Sequence, residues 1–275
     1  MIVEILLSVG VLLAIALLVL SILRVRNEKE VSRIWQSLEG VPAENHFTED
    51  MVAVLPAPVQ RYFLHAIAPG TPLADSVSLK MSGSFRTGQD KQWLPMQAKQ
   101  IISAKGFVWQ AAIGHSLFQM MGADYYANES GRMHFSLWGL IPLVNAHSPD
   151  IARSSIGRLA GEFVLLPSAL LPQHGVTWKA SDQRTIQASL KIDSEPVTLT
   201  LVIDPNGKLL KLSLPRWGEH TEDGSYTYIS FGGEYQEERT FAGFTIPSQM
   251  SAGWWFGTDR YLEFFRATIE EAEFR

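Results

Sequence analysis

Val197-Thr198-Leu199-Thr200-Leu201-Val202-Ile203-Asp204-Pro205-Asn206-Gly207-Lys208-Leu209-Leu210-Lys211-Leu212-Ser213-Leu214 is the stretch on which the fold turns. Val197, Leu199, Leu201 and Ile203 alternate with Thr198 and Thr200, the period of two expected of a half-buried strand. Asp204-Pro205-Asn206-Gly207 makes a tight turn, after which Leu210, Leu212 and Leu214 alternate again. Two such runs across four turn residues predict a hairpin. Pairing is then antiparallel, because parallel neighbours need a long crossover.

The same period appears on both sides of the hairpin. Val77, Leu79, Met81, Gly83 and Phe85 alternate with serines and Lys80. Strand-like runs also cover residues 92–103, 106–114, 116–126, 132–138, 175–181, 184–192, 225–236, 239–251 and 252–274. One helix interrupts them at about 149–166, with Ser148 as N-cap, Pro149 at the first position and Asp150 in the positive first turn. Ala152, Ile156, Leu159, Phe163 and Leu166 mark its apolar face, and Pro167 stops it. The expected class is α+β: a large, curved, open-barrel-like antiparallel sheet packed by a few helices.

The N-terminal region has a different character. Residues 5–23 carry no charge and are mostly Leu, Ile and Val. At about 1.5 Å per residue they nearly match the hydrocarbon core of a bilayer. A secretory signal should start with a basic region and end at a small-x-small site. Here Glu4 precedes the apolar run and Ser-Ile-Leu-Arg-Val-Arg closes it, so an uncleaved single-pass anchor in the cell membrane is expected. Arg24, Arg26, Lys29 and Arg33 follow the run, and the positive-inside rule then places the large domain in the cytoplasm.

Residues 28–40 read as a short amphipathic helix, with Val31, Ile34, Trp35 and Leu38 on one side and Gly40 and Pro42 as a stop. Trp35 is expected to dock on the domain. A further helical stretch begins at Thr48, and another covers 58–67, led by Pro58 and faced by Val59, Tyr62, Phe63 and Ile67. The expected division is an anchor with its flank (1–27), a helical linker region (28–70) and a β-rich domain (71–275).

Composition narrows the function. Hydrophobic residues make up 46% and charged residues 19% of 275, which is globular. A net charge of −5 argues against nucleic-acid binding. There are no cysteines, which excludes disulfides and thiolate chemistry. The seven histidines show no metal-ligand spacing, so no metal or cofactor is expected. No phosphate-cradling or dinucleotide glycine motif occurs. Gly114-His115-Ser116-Leu117-Phe118 lacks the second glycine of a nucleophile elbow, which lowers the expectation of an enzyme.

Two sets of residues remain as candidates for a site. Arg158 and Glu162 lie one helical turn apart and can pair. The pair is either an ordinary solvent-side ion pair or a polar spot facing a sheet-lined pocket, where it would orient a headgroup or move a proton. Of the strand aromatics, Trp109, Tyr125, Trp178 and Trp254 join the pair as candidate ligand-binding residues. Core packing is the commoner role for such rings. A curved aromatic sheet can also enclose an apolar ligand.

Several segments resemble an uncharacterised bacterial family, domain of unknown function 6544. They are residues 55–63 (Leu-Pro-Ala-Pro-Val-Gln-Arg-Tyr-Phe), 83–86 (Gly-Ser-Phe-Arg), 107–111 (Phe-Val-Trp-Gln-Ala), 161–172 (Gly-Glu through Leu-Pro), 176–178 (Val-Thr-Trp), Ile246-Pro247 and Gly253-Trp254. The resemblance implies no activity. In layout the chain also resembles the open barrels of lipid and lipoprotein carriers. The leading expectation is therefore a membrane-anchored module that binds a lipid or another hydrophobic small molecule. The alternatives are an enzyme acting on a membrane-derived substrate through Glu162 and Arg158, and a scaffold of a membrane complex.

Overall fold

The structure, a computed structural model, describes residues 2–41, 44–115 and 117–275. Pro42 of the expected helix stop and Ser116 of the Gly-His-Ser segment lie outside the described residues. Helix α1 runs unbroken through Ile2–Leu38, 37 residues or about 55 Å. The anchor and the short amphipathic helix expected after it are therefore one rod. Nothing between them breaks a helix, and Arg24 pairs with Glu28 one turn on at 2.8 Å.

The N-terminal part of α1 is long and apolar enough to cross a membrane, and none of its most apolar 18-residue stretch is buried. The Ser8 and Ser21 hydroxyls donate to the carbonyls of Glu4 and Leu17 at 2.8 Å, so both find partners within the helix.

The rest of the chain builds one sheet. Its strands are β1 (Ser76–Phe85), β2 (Leu94–Ser103), β3 (Gly106–Ile113), β4 (Met120–Ala127), β5 (Ser130–Leu137), β6 (Ile141–Ala146), β7 (Thr177–Ala180), β8 (Thr185–Ile192), β9 (Glu195–Ile203), β10 (Leu209–Gly218), β11 (Thr227–Phe241), β12 (Phe244–Trp254) and β13 (Leu262–Phe274). Two antiparallel meanders, β1 to β6 and β7 to β13, are fused where β1 pairs with β13. Helix α2 (Ala57–Ala66) precedes the sheet. Helix α3 (Pro149–Glu162) and three 3-10 turns (Phe163–Leu165, Pro167–Leu170, Pro172–His174) cross between the meanders.

Helix α3 touches β4 and β5 of one meander and β9 and β10 of the other. A flat sheet cannot do this, so the sheet curls around the helix and leaves β6 and β7 as unpaired edges. The concave side holds the main core: Leu159 and Phe163 from the helical segment, Val77, Leu79, Phe107, Leu199, Leu201 and Ile269 from strands. The open, curved antiparallel architecture expected from the alternation is the architecture found.

The central hairpin forms as read, with one correction in register. Asp204 Oδ1 accepts from the backbone N–H of Asn206 and Lys208 at 2.8 and 3.0 Å. Gly207 takes a φ of 98°, and a Cβ there would strike the Arg61 carbonyl oxygen. A bulge between Leu209 and Lys211 then makes Leu209, not Leu210, the buried residue. Leu212 and Leu214 stay buried.

Other elements differ from the reading. Thr48 begins only a short 3-10 turn (Glu49–Met51), and its side chain caps nothing. The helix at 149–166 stops at Glu162 and continues as 3-10 turns, because Pro167 and Pro172 lack the N–H that an α-helix needs. Strand β6 was not legible: Ile141, Pro142, Leu143 and Val144 are all exposed and show no alternation.

The C-terminal half of α1 lies on the convex face. Val31 and Leu38 are buried with Ile101, Val108, Ala123 and Tyr125, and Ile34 and Trp35 pack alongside. Trp35 docks on the sheet, where Lys99 Nζ stands 5.3 Å from its ring. Glu30 receives Tyr125 Oη–H at 2.6 Å and Arg132 Nη1–H at 2.7 Å, and Arg132 also donates to Asn27 at 3.2 Å. Val31→Asp would bury an unpaired carboxylate at this contact. The expected outcome is undocking of α1, about 3 kcal/mol in cost, with the sheet intact. Faster tryptic cleavage at Arg33, with unchanged far-ultraviolet circular dichroism of the strands, checks it.

Candidate functional site

The inward face of α3 carries Arg158 and Glu162 toward the sheet, not toward solvent. Arg158 donates from Nε to Glu162 Oε1 at 2.8 Å and from Nη1 to Asp124 Oδ2 at 2.6 Å. Its side chain is only 16% exposed, with the guanidinium 4.5 Å above the Phe107 ring and 5.4 Å from Trp109. Glu162 Oε2 accepts from Gln100 Nε2 at 2.6 Å, so both carboxylate oxygens are occupied. Burial lowers the Arg158 pKa, but Glu162 and Asp124 outweigh it and leave it raised. Arg158 is thus held between two carboxylates, one of which is bonded in turn to Gln100.

Arg216 is the second guanidinium on this face and is bound differently. Its Nε donates to the Ser154 carbonyl at 3.0 Å, and its guanidinium lies 4.5 Å from the Phe231 ring and 4.8 Å from Trp254. Among the described residues no carboxylate lies within ion-pair distance of it. Burial first, then the like charge of Arg158, bring its pKa down to about 10, partly offset by Asp124 and Glu162. Gly157 gives it room, since a Cβ there would stand 3.0 Å from Arg216 Cγ. Tyr235 faces the same region, where burial and then Glu162 push its hydroxyl pKa up.

From Trp254 a row of rings leads outward. Trp254 meets Phe231 at 5.0 Å, Phe231 meets Phe264 at 6.2 Å and Phe264 meets Phe85 at 5.7 Å. Phe231, Phe264 and Phe85 are only half-buried. Trp109 meets Phe135 at a tilt and Phe265 edge-on, at 6.1 and 6.2 Å, and its buried Nε1–H has no partner among the described residues.

Four of the six candidate residues thus share the concave face: Arg158, Glu162 and Trp109 directly, and Trp254 through Arg216. The other two do not join them. Tyr125 points to the convex face and α1, because it is one residue out of phase with Asp124 and Tyr126. Trp178 is buried between Tyr62 and Phe63 of α2, its Nε1–H donating to the Leu170 carbonyl at 3.0 Å. Sequence reading missed Gln100, Asp124, Arg216 and Tyr235. For the first three the signal was present as a polar residue at the inward position of an alternating strand, as in Leu212-x-Leu214-x-Arg216.

The recess between α2, β10 and β12, beside the His65–Glu238 pair, holds about 10 Å³, room for one water. Among the described residues no group of three His, Cys, Asp or Glu could hold a metal ion.

Fold and site define a curved-sheet protein with an N-terminal helix, apolar and uncovered in its first half and docked on the sheet by its second, and a concave face of arginines and aromatic rings. The chain belongs to a family of unknown function, DUF6920, whose model matches residues 53–274. This overturns the resemblance to domain of unknown function 6544. The segments behind that resemblance are short pieces of helix, 3-10 turn and strand that meet local folding requirements, so they do not separate one such family from another.

No curated protein matches the chain. Among solved structures it is similar to a LolA superfamily protein from Nitrosomonas europaea, at 9% identity over 86% of this chain and 94% of the other, TM-score 0.42. A domain named for outer membrane lipoprotein sorting, from Vibrio parahaemolyticus, is similar at 8% identity over 73% and 85%, TM-score 0.40. A DUF1329 family protein from Desulfovibrio piger is similar at 8% over 82% and 91%, TM-score 0.40.

Removing Arg158 leaves two largely covered carboxylates short of their shared cation. Arg158→Met, which leaves Asp124 and Glu162 without their cation, should therefore destabilise the fold by about 3 kcal/mol, and replacing all three charges together (Arg158→Met, Asp124→Leu and Glu162→Met) should cost less than Arg158→Met alone. Denaturant titration of the full chain in detergent, followed by tryptophan fluorescence, measures both.

Proposed function

We propose that this chain is a membrane-tethered binding protein that takes up a lipid or similar apolar ligand along the half-buried aromatic row at the mouth of its curved sheet. The observation that carries the reading is Arg216. It is a half-buried cation between two rings with no carboxylate partner among the described residues, at the inner end of a row of partly exposed aromatics. A cation held in this way suits the polar head of an amphiphile, and the row Phe231, Phe264, Phe85 suits its chain. Arg158, Glu162, Trp109 and Trp254 form the wall behind it. In this reading Glu162 organises Arg158 and performs no chemistry.

The full chain in nanodiscs containing a phospholipid with a photoactivatable acyl chain tests this. Labelling is expected at the peptides bearing Phe231, Trp254 and Phe264 as well as at residues 5–23, and Arg216→Gln should cut the sheet labelling about tenfold. Labelling confined to residues 5–23 would rule the reading out.

The membrane is engaged through residues 5–23 of α1. The basic residues Arg24, Arg26, Lys29 and Arg33 support a cytoplasmic sheet domain. Reporters fused after Arg275 check the side. A fluorescent protein that matures only in the cytoplasm is expected to glow, and an exported phosphatase fusion is expected to be inactive. The reverse pattern places the sheet across the membrane.

A further inference from the structure

Where α1 leaves the sheet, the neighbouring loops are apolar and uncovered. Leu117 and Phe118, between β3 and β4, are each 75% exposed. Trp138, in the β5–β6 turn, is 45% exposed, as is Ile141 at the start of β6. The two loops are tied together by the Trp138 N–H, which donates to the Gln119 carbonyl at 2.8 Å. Large apolar side chains clustered on one surface call for an occupant.

The position of the patch identifies that occupant. A Cβ on Gly139 would lie 3.4 Å from the guanidinium carbon of Arg24, so the β5–β6 turn sits beside the first basic residue after the apolar stretch of α1. Arg24 marks the level at which such a helix leaves hydrocarbon for headgroups. Leu117, Phe118, Trp138 and Ile141 therefore stand near that level. Trp138 also adopts a φ of 53°, a left-handed conformation costly for a bulky residue, and Gly139 follows at 70°. A tight turn is kept with a half-exposed tryptophan at its tip, the residue type enriched at membrane interfaces.

We propose that Leu117, Phe118, Trp138 and Ile141 insert into the interfacial zone of the bilayer that holds α1, giving the sheet a second membrane contact. The inference rests on the reading of α1 as an anchor and is independent of ligand uptake. With α1 and these loops both engaged, the domain is fixed against the membrane and cannot swing about a single tether. The loops join strand ends on the side of the sheet where Phe85 lies, since β1, β3 and β5 run the same way and end there. The aromatic row then opens toward the lipid.

The chain has no cysteine, so single cysteines can be placed without background. Phe118→Cys, Ile141→Cys, Leu23→Cys in α1 and Lys105→Cys in the β2–β3 turn would each carry an environment-sensitive dye. The full chain sits one copy per phosphatidylcholine nanodisc, with nitroxide-labelled lipids near the headgroup. Quenching at 118 and 141 equal to that at 23, with none at 105, is expected. Quenching at 23 but not at 118 or 141 would overturn the proposal and leave the anchor standing. No quenching at 23 would remove the anchor reading and this proposal together. Protection of 118 that rises with protein concentration in lipid-free detergent would assign the patch to a second copy and also overturn it.

Discussion

The pairing of β1 with β13 is the contact on which the remaining architecture depends. Without it the chain would be two meanders of six and seven strands, each with an apolar face to cover. With it they become one sheet of 13 strands, in which twist accumulates until the sheet must curl. The junction is held to its end: Arg275 donates to the Ser76 carbonyl at 2.9 Å, and its own carbonyl accepts from Asp75 and Ser76 at 2.7 and 2.9 Å. Curling creates a concave side that has to be filled, and the chain fills it with the segment between the two meanders. Helix α3 can touch β4 and β10 together only because the β1–β13 seam has brought those walls face to face.

The same curvature sorts the polar groups. Strand alternation sends Gln100, Asp124 and Arg216 inward, and Lys99, Tyr125 and Arg132 outward. The inward set meets α3 and becomes a buried network. The outward set meets the polar half of α1 and holds it to the sheet through Glu30. One helix is thus apolar and uncovered along its first half and stitched to a sheet along its second, which makes a rigid link between a membrane-length segment and the folded domain.

Much of this was legible locally. The hairpin at Asp204–Gly207, the α3 cap at Ser148 and the inward residues of β1 depend on neighbours a few positions apart, which periodicity and turn chemistry read directly. Arg158 and Glu162 were visible as a pair for the same reason, but what they face was not. That depends on Gln100 and Asp124, which reach them only through long-range strand pairing. Leu210 was misassigned because a bulge shifts the alternation by one residue without a marker in the sequence. Tyr125 was drawn into the candidate site because aromatic character carries no phase, whereas its side of the sheet is fixed by the pairing of β4 with β3. Strand β6 escaped because it is an exposed edge, where no buried face imposes a pattern.

The two inward guanidiniums differ in how their charge is compensated. Taking a charge out of water costs several kcal/mol, and the cost is offset when opposite charges and hydrogen bonds surround the ion. Arg158 has two carboxylates bonded and two rings beneath it, so a ligand would gain little by approaching it. Arg216 has one carbonyl and two rings. Cation–π contact is attractive but weaker than a bonded carboxylate, and it leaves the outer N–H groups free to donate. Asp124 and Glu162 act on Arg216 only at a distance, because both are already bonded to Arg158. The network therefore does two things at once. It stabilises the turn of α3 against the sheet, and by claiming both carboxylates it leaves Arg216 the group on this face with most to gain from an incoming anion.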